Sequence, residues 1–303
     1  MLPVRRVSLL ALVLVVAAFG AMASACGGDG GGGGAEGSDI RVVSVTAADF
    51  SFTSPDFFNQ GMVRLAFTNS GQETHHLQIL KLKSGVIQAK FKTTLNQILS
   101  AVPTEGEADF NRLYEIADFS GGAGPADPGG YSEAVLSLES GVYVYACFIA
   151  GADGVPHIAK GMTRVLTVNP DPGTKQPAPP TASATVDMVD FAFTGITATL
   201  PAGKTTLAVV NKGQQSHEMS ILRLKGITAA DLRKALTDPN AAPPAGPPPY
   251  ESAGGFRGTA PGGTGWAVVN LTPGEYVLVC FIPDPADGKP HAAKGMFKPL
   301  TVQ

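Results

Sequence analysis

The sequence is short of the groups on which most function classes depend. Only three cysteines and five histidines occur in 303 residues. Three cysteines make no disulfide framework, so each needs its own explanation. Charged residues make up 16% of the chain and the net charge is −3, which leaves no basic footprint for nucleic acid. No small-molecule substrate is evident in the pattern either. Glycine and proline, in contrast, are plentiful at 37 and 24 residues, above average usage. That points to a turn-rich all-β protein with flexible connectors, and a hydrophobic content of 44% is enough for real cores.

The N-terminus accounts for one cysteine. Arg5 and Arg6 precede an uncharged run over 7–25 that ends in small residues directly before Cys26. A charged start, an apolar middle and a small-residue end are the parts of an export signal. The segment resembles a bacterial lipoprotein signal, with Ala23-Ser24-Ala25-Cys26 as the lipobox, although Ala23 stands where a larger aliphatic residue is usual. Residues 1–26 are therefore expected to be a signal peptide with lipidation at Cys26. An uncleaved membrane anchor is the alternative, since the run is long enough to span a bilayer. The glycine-rich stretch 27–38 reads as a tether.

Beyond the tether the chain repeats itself. Asp49-Phe50-Ser51-Phe52-Thr53 returns as Asp190-Phe191-Ala192-Phe193-Thr194, and Asn69-Ser70-Gly71-Gln72 with His75 returns as Asn211-Lys212-Gly213-Gln214 with His217. Cys147-Phe148-Ile149, followed by His157 and Met162, returns as Cys280-Phe281-Ile282, followed by His291 and Met296. The expected domains are 39–169 and 182–303, joined by a proline-rich linker over 170–181.

Short β-branched or aromatic runs bounded by turn residues mark strands at 41–46, 62–68, 77–82, 133–138, 142–148 and 164–168. The second copy gives 184–189, 205–210, 219–224, 266–271, 276–281 and 297–302. The expected fold is all-β, two tandem Greek-key β-sandwiches, each with a short helical or loop insertion. In the second insertion Thr228 to Asp231 resembles a capping box opening a helix through Leu236. A weaker counterpart covers 93–102, and the remainder of both insertions, such as 241–250, reads as Pro- and Gly-rich loop.

A thiol, an imidazole and a thioether on one short loop form a soft donor set that selects copper. His75 and His217, at equivalent positions, are candidates for a second imidazole. A lone buried cysteine or methionine is usually core filler. Here four of five histidines and both non-lipidated cysteines fall at matched positions. An Asn-x-Gly-x-x-x-His segment followed by a Cys…His-x-x-x-x-Met loop resembles the cupredoxins, the type 1 blue copper proteins such as plastocyanin and azurin. The resemblance implies one copper per domain, two in total. Its metal ligands would be His75, Cys147, His157 and Met162 in the first domain, and His217, Cys280, His291 and Met296 in the second. The departure is the gap between Cys and the second His, nine and ten residues, longer than in familiar blue-copper loops. His76 has Glu218 as its counterpart and is expected to point away from the site.

The resemblance implies one-electron transfer, with His157 and His291 at the solvent edge as electron ports. The expected setting is outside the cytoplasm, lipid-anchored to the outer face of the cell membrane or periplasmic. The expected partners are the membrane and a transient redox protein or a copper donor or acceptor. Copper trafficking or storage, and a metal-free partner-binding sandwich, are the alternatives. A disulfide between Cys147 and Cys280 is a further alternative for the two thiols. The chain is expected to be a carrier and no catalyst: two-domain multicopper oxidases and nitrite reductases need extra histidines, often as His-x-His, and none occurs.

Overall fold

The computed structural model describes residues 39–105, 111–238 and 247–303. The expected signal, Cys26 and the tether lie outside the described residues. Among those residues no helix is long and apolar enough to cross a membrane.

Two sheets face each other across one apolar core. The first has eight strands, in the order Ala192–Thr194, Ala184–Val189, Gly203–Asn211, Thr264–Leu271, Tyr131–Leu138, Gly61–Asn69, Arg41–Ala48, Ser51–Thr53. The second has ten. Their order is Thr199–Leu200, Phe297–Val302, Gly274–Val279, His217–Leu224, Tyr250–Thr259, Ala117–Ala126, His75–Leu82, Gly141–Ala146, Thr163–Asn169, Phe57–Asn59. Read outward from its middle, each order gives the same series once per repeat. The repeats thus join edge to edge in both sheets, antiparallel, through Tyr131–Leu138 with Thr264–Leu271 and Ala117–Ala126 with Tyr250–Thr259. Equivalent residues meet at each junction, Ala134 opposite Ala267 and Ala123 opposite Phe256.

Alternation builds the core. On Arg41–Ala48, Val43, Val45 and Ala47 point inward while their neighbours face solvent, the period-2 pattern of a strand with one wet face. Inner strands of the ten-stranded sheet, such as His75–Leu82 and Gly274–Val279, are buried on both sides. Tyr276, Leu278 and Cys280 enter the core between the sheets, whereas Val277 and Val279 face a smaller cluster with Leu232 of helix Ala229–Thr237. The first repeat covers the same outer face more heavily. There Phe91, Leu95 and Ile98 of helix Gln88–Glu105, with Leu113 of helix Asn111–Ile116, pack on Leu80, Leu82, Val144 and Ala146. Helix Ala229–Thr237 opens as expected, with Thr228 Oγ1 accepting from Asp231 N–H at 3.1 Å. The first helix runs longer than the expected 93–102.

The joining strands Ala117–Ala126 and Tyr250–Thr259 fall where loop was expected. Their sequences, ADFSGGAGPA and YESAGGFRGT, show no apolar alternation, and paired glycines ordinarily weaken a strand. Here the glycines make bulges. The register shifts against the neighbouring strands, and a Cβ on Gly122 or Gly255 would lie 1.9 or 2.0 Å from the carbonyl oxygen of Leu77 or Met219. Only glycine allows backbones that close. The segment 170–181 lies along the first repeat, where Gln176 Oε1 accepts from Met62 N–H at 3.3 Å.

Candidate metal centres

Three adjacent strands of the ten-stranded sheet supply each site. His75 opens His75–Leu82, Cys147 follows Gly141–Ala146, and Met162 precedes Thr163–Asn169. Backbone bonds tie the loop down: Cys147 N–H to Met162 O at 3.3 Å, Met162 N–H to His157 O at 3.0 Å, and His157 N–H to Ile149 O at 2.8 Å. The long gap between Cys147 and His157 is closed at a neck by the Ala150–Pro156 bridge, so the surplus residues form a small hairpin beyond it. The second repeat does the same, with His291 N–H on Ile282 O at 2.9 Å and a Pro283–Pro290 bridge.

These contacts bring the candidate donors together. His75 Nδ1 lies 2.9 Å from His157 Nδ1, and Cys147 Sγ lies 3.5 and 3.9 Å from the His157 and His75 Nδ1 atoms. His217 Nδ1 lies 3.0 Å from His291 Nδ1, which is 3.4 Å from Cys280 Sγ. All six side chains are fully buried, as are Met162 and Met296. Both cysteines are free thiols in separate clusters, so no disulfide joins them.

The far nitrogens fix the tautomers. His75 Nε2 meets Asp49 Oδ1 at 2.7 Å and His157 Nε2 meets Glu73 Oε2 at 2.9 Å. An ionised carboxylate only accepts, so each Nε2 carries the proton and each Nδ1 turns a lone pair inward. In the second repeat His217 Nε2 is held by Asp190 Oδ1, and His291 Nε2 by Gln215 Oε1 at 2.9 Å. The Gln215 amide is oriented by its hydrogen bond to the Asp284 carboxylate. Each repeat thus aims two imidazole lone pairs and a sulfur at one point. That arrangement is repulsive by itself and becomes favourable around a cation.

Electrostatics agree. Burial pushes the Cys147 thiol up to about 11 and raises Cys280 further, helped there by the Glu218 carboxylate. Burial also lowers His75 and His217 against their carboxylate partners, and takes His291 down to about 4. These three imidazoles are therefore neutral donors. Hydrogen bonds from Gln72 and Gln214 backbone and from the imidazoles outweigh burial and hold Asp49 and Asp190 below the usual carboxylate range.

The Asn-x-Gly motif now has a mechanical meaning. Asn69 Nδ2 donates to Glu73 O and Ala126 O, both at 2.8 Å, and its Oδ1 accepts from Gly71 N–H. Asn211 makes the matching bonds to Gln215 O, Thr259 O and Gly213. The turn places the carboxylate–imidazole pair directly over the glycine. A Cβ on Gly71 would lie 2.3 Å from Asp49 Oδ1, and one on Gly213 2.5 Å from His217 Nε2.

Two side chains next to the ligands part ways. His76 turns from the site and accepts from Phe148 N–H at Nε2, 2.9 Å, while its backbone N–H points at Cys147 Sγ. Glu218 accepts from Phe281 N–H at 3.2 Å and is ion-paired with Arg257, both buried. The expectation of solvent-edge histidines is corrected: His157 and His291 are 0% exposed. Phe50 and Phe191 cover them at ring separations of 4.9 and 5.0 Å, and Lys160 and Lys294 lie over those rings. The long loops and these lids take the place of an open edge. Sequence reasoning missed Asp49, Glu73, Phe50 and their counterparts as site residues, although the recurring Asp-Phe pair carried the signal.

The set of two neutral imidazoles and one thiol, with a buried Met tied by its backbone to the same loop, suits copper, whose soft-donor sites have this composition. The fold and the site are cupredoxin-like. No family model and no curated protein matches the chain. Among solved structures, a reduced auracyanin from Roseiflexus castenholzii aligns with 41% of this cupredoxin-like chain and 99% of its own, at 26% identity and a TM-score of 0.29. Auracyanin A of Chloroflexus aurantiacus, described as a blue copper protein, aligns with 43% of this chain and 100% of its own, at 18% identity and a TM-score of 0.28. A multicopper oxidase aligns with 87% of this chain and 89% of its own, at 15% identity and a TM-score of 0.24. The expectation that the chain is no catalyst is corrected on that finding. It rested on counting histidines, which tests only a second centre built from imidazoles of one chain and leaves other donors out.

Proposed function

We propose that this chain is an exported, membrane-tethered copper protein that transfers single electrons through a His₂-Cys-Met site in each repeat, two coppers in total. The observation that supports it is the pair of inward-facing Nδ1 lone pairs beside a buried sulfur, present in both repeats. Copper, when bound, supplies a one-electron couple and holds the thiol deprotonated. The chain's own residues do the rest. Asp49 and Asp190 orient one imidazole each, Glu73 and Gln215 orient the other, and the backbone N–H groups of His76 and Glu218 face the sulfurs at 3.5 Å. A frame this rigid keeps ligand positions the same in both oxidation states, which favours rapid transfer.

Burial of every candidate ligand supports electron transfer over copper delivery, because an exchanging ion needs an open route. Elemental analysis, an optical spectrum and voltammetry of the purified chain test the reading. Two coppers per chain, an intense thiolate-to-copper band and a reversible wave are expected; tight Cu(I) binding with no such band would sink it. The tether is tested separately by lipid labelling, which a Cys26→Ala change should abolish. In this reading the partners are a transient redox protein and the membrane surface.

A further inference from the structure

The aromatic rings that run from the first site toward the second all come from one repeat. Phe148, directly after Cys147, stacks on Phe119 with ring centroids 6.2 Å apart and planes 17° apart. Phe119 packs in turn against Tyr114 at 5.0 Å. Tyr114 sits on helix Asn111–Ile116 of the first repeat, and this helix reaches the second site: Asn111 Nδ2 donates at 3.1 Å to Pro285 O in the hairpin there. The Tyr114 hydroxyl interacts with the side chain of Ser216, the residue before His217.

Phe119 also approaches the second site directly. A Cβ on Gly258 would lie 2.7 Å from Phe119 Cδ1 and 3.0 Å from Ile282 Cδ1. Gly258 therefore leaves open a space bordered by both this ring and Ile282, two residues past Cys280. Ala260 N–H donates to Phe119 O at 2.9 Å and holds the two strands together there. Among the described residues the second repeat has no such run. Ser252 occupies the register position of Phe119, and Phe281, the counterpart of Phe148, is 37% exposed. A packing role accounts for burying these rings. It does not account for a run that starts beside one thiol and ends beside the ligand strand of the other site.

We propose that Phe148, Phe119 and Tyr114 form an electron path between the two metal centres, making the chain a two-site relay that passes an electron received at one site to the other. The proposal rests on the copper reading above. One site is oxidised as the other is reduced, so the step needs no further reactant. No proton moves, because the rings bridge the tunnelling electron without being oxidised themselves, and the Tyr114 phenol, raised by burial to about 12, stays protonated. Electron tunnelling weakens steeply across gaps, and packed rings remove them.

The copper-loaded full chain is given less than one electron per molecule by pulse radiolysis. The expected result is a re-equilibration phase whose rate does not depend on protein concentration. Tyr114→Leu and Phe119→Leu should slow it at least tenfold, while Tyr114→Phe, which keeps the ring, retains it. Copper content, absorption spectrum and the unfolding temperature of the metal-free variants report separately that sites and fold persist. Absence of the phase in the native protein, or an unchanged rate in both leucine variants with copper retained, overturns the path. Fewer than two coppers per native chain would instead remove the reading beneath it, and the path with it.

Discussion

The two repeats present the same four candidate ligands, with imidazole Nδ1 atoms 2.9 Å apart in one and 3.0 Å in the other, yet their surroundings differ in charge. His157 leans on the Glu73 carboxylate, whereas His291 leans on the neutral Gln215 amide. Behind Cys147 the amide of Phe148 is capped by an imidazole; behind Cys280 the amide of Phe281 is capped by a buried carboxylate paired with Arg257. Duplication kept the donors and let the environment drift. The lesson is that ligand identity and site tuning are separable, since donors are set by geometry at strand ends and tuning by whatever packs behind them.

Breaking one site at a time gives the largest effect. Cys147→Ser should leave copper only in the second repeat and Cys280→Ser only in the first, each halving the copper per chain by elemental analysis. Loading the native chain at neutral pH should release one proton per site, because both thiols sit above neutrality, Cys147 at about 11. A protonated thiol must give up its proton to bind, so affinity should rise with pH up to that value. A pH-stat titration checks both.

The comparison behind the sulfurs is next in size. Glu218→Ala strands Arg257 in the interior and should cost about 3–5 kcal/mol of unfolding free energy. His76→Ala leaves only the Phe148 N–H unpaired, about 1–3 kcal/mol. Denaturant melts of the metal-free protein separate them, and equal losses would show that the ion pair is no more than a neutral cap.

Asp49→Ala and Asp190→Ala should weaken copper binding about 10–100-fold at their own sites, by competition with a chelator of known affinity. The smallest contrast is the exchange of Glu73 and Gln215. An anion beside His157 favours the oxidised site, so Glu73→Gln should raise the first potential and Gln215→Glu lower the second, each by about 1–3 kcal/mol. Shifts of the same sign in both variants would break the comparison.

Much of this was legible because the chain is duplicated. One Cys…His…Met run is ambiguous; two in matched register, each preceded by Asn-x-Gly-x-x-x-His, are not. The strands that alternate, such as Arg41–Ala48, were legible for the usual reason that one face is wet. The joining strands were not, since Ala117–Ala126 and Tyr250–Thr259 owe their pairing to close backbone approach at glycines and carry no apolar period. Burial of His157 and His291 was illegible as well. It depends on Phe50 over His157 and Phe191 over His291, each in a turn far away along the chain.

By itself, then, the sequence determined the candidate donors and their grouping into two sets, because spacing around strand ends places side chains wherever the strands pair. Tertiary structure alone decided three further things: that the repeats share both sheets, that the imidazole tautomers are set by Asp49, Glu73, Asp190 and Gln215, and that one repeat's aromatic rings reach the other repeat's site. Each is a contact between segments distant along the chain. Such contacts follow from how surfaces fit once folded; a recurring pair such as Asp49-Phe50 and Asp190-Phe191 can mark residues that matter but does not say what they will touch.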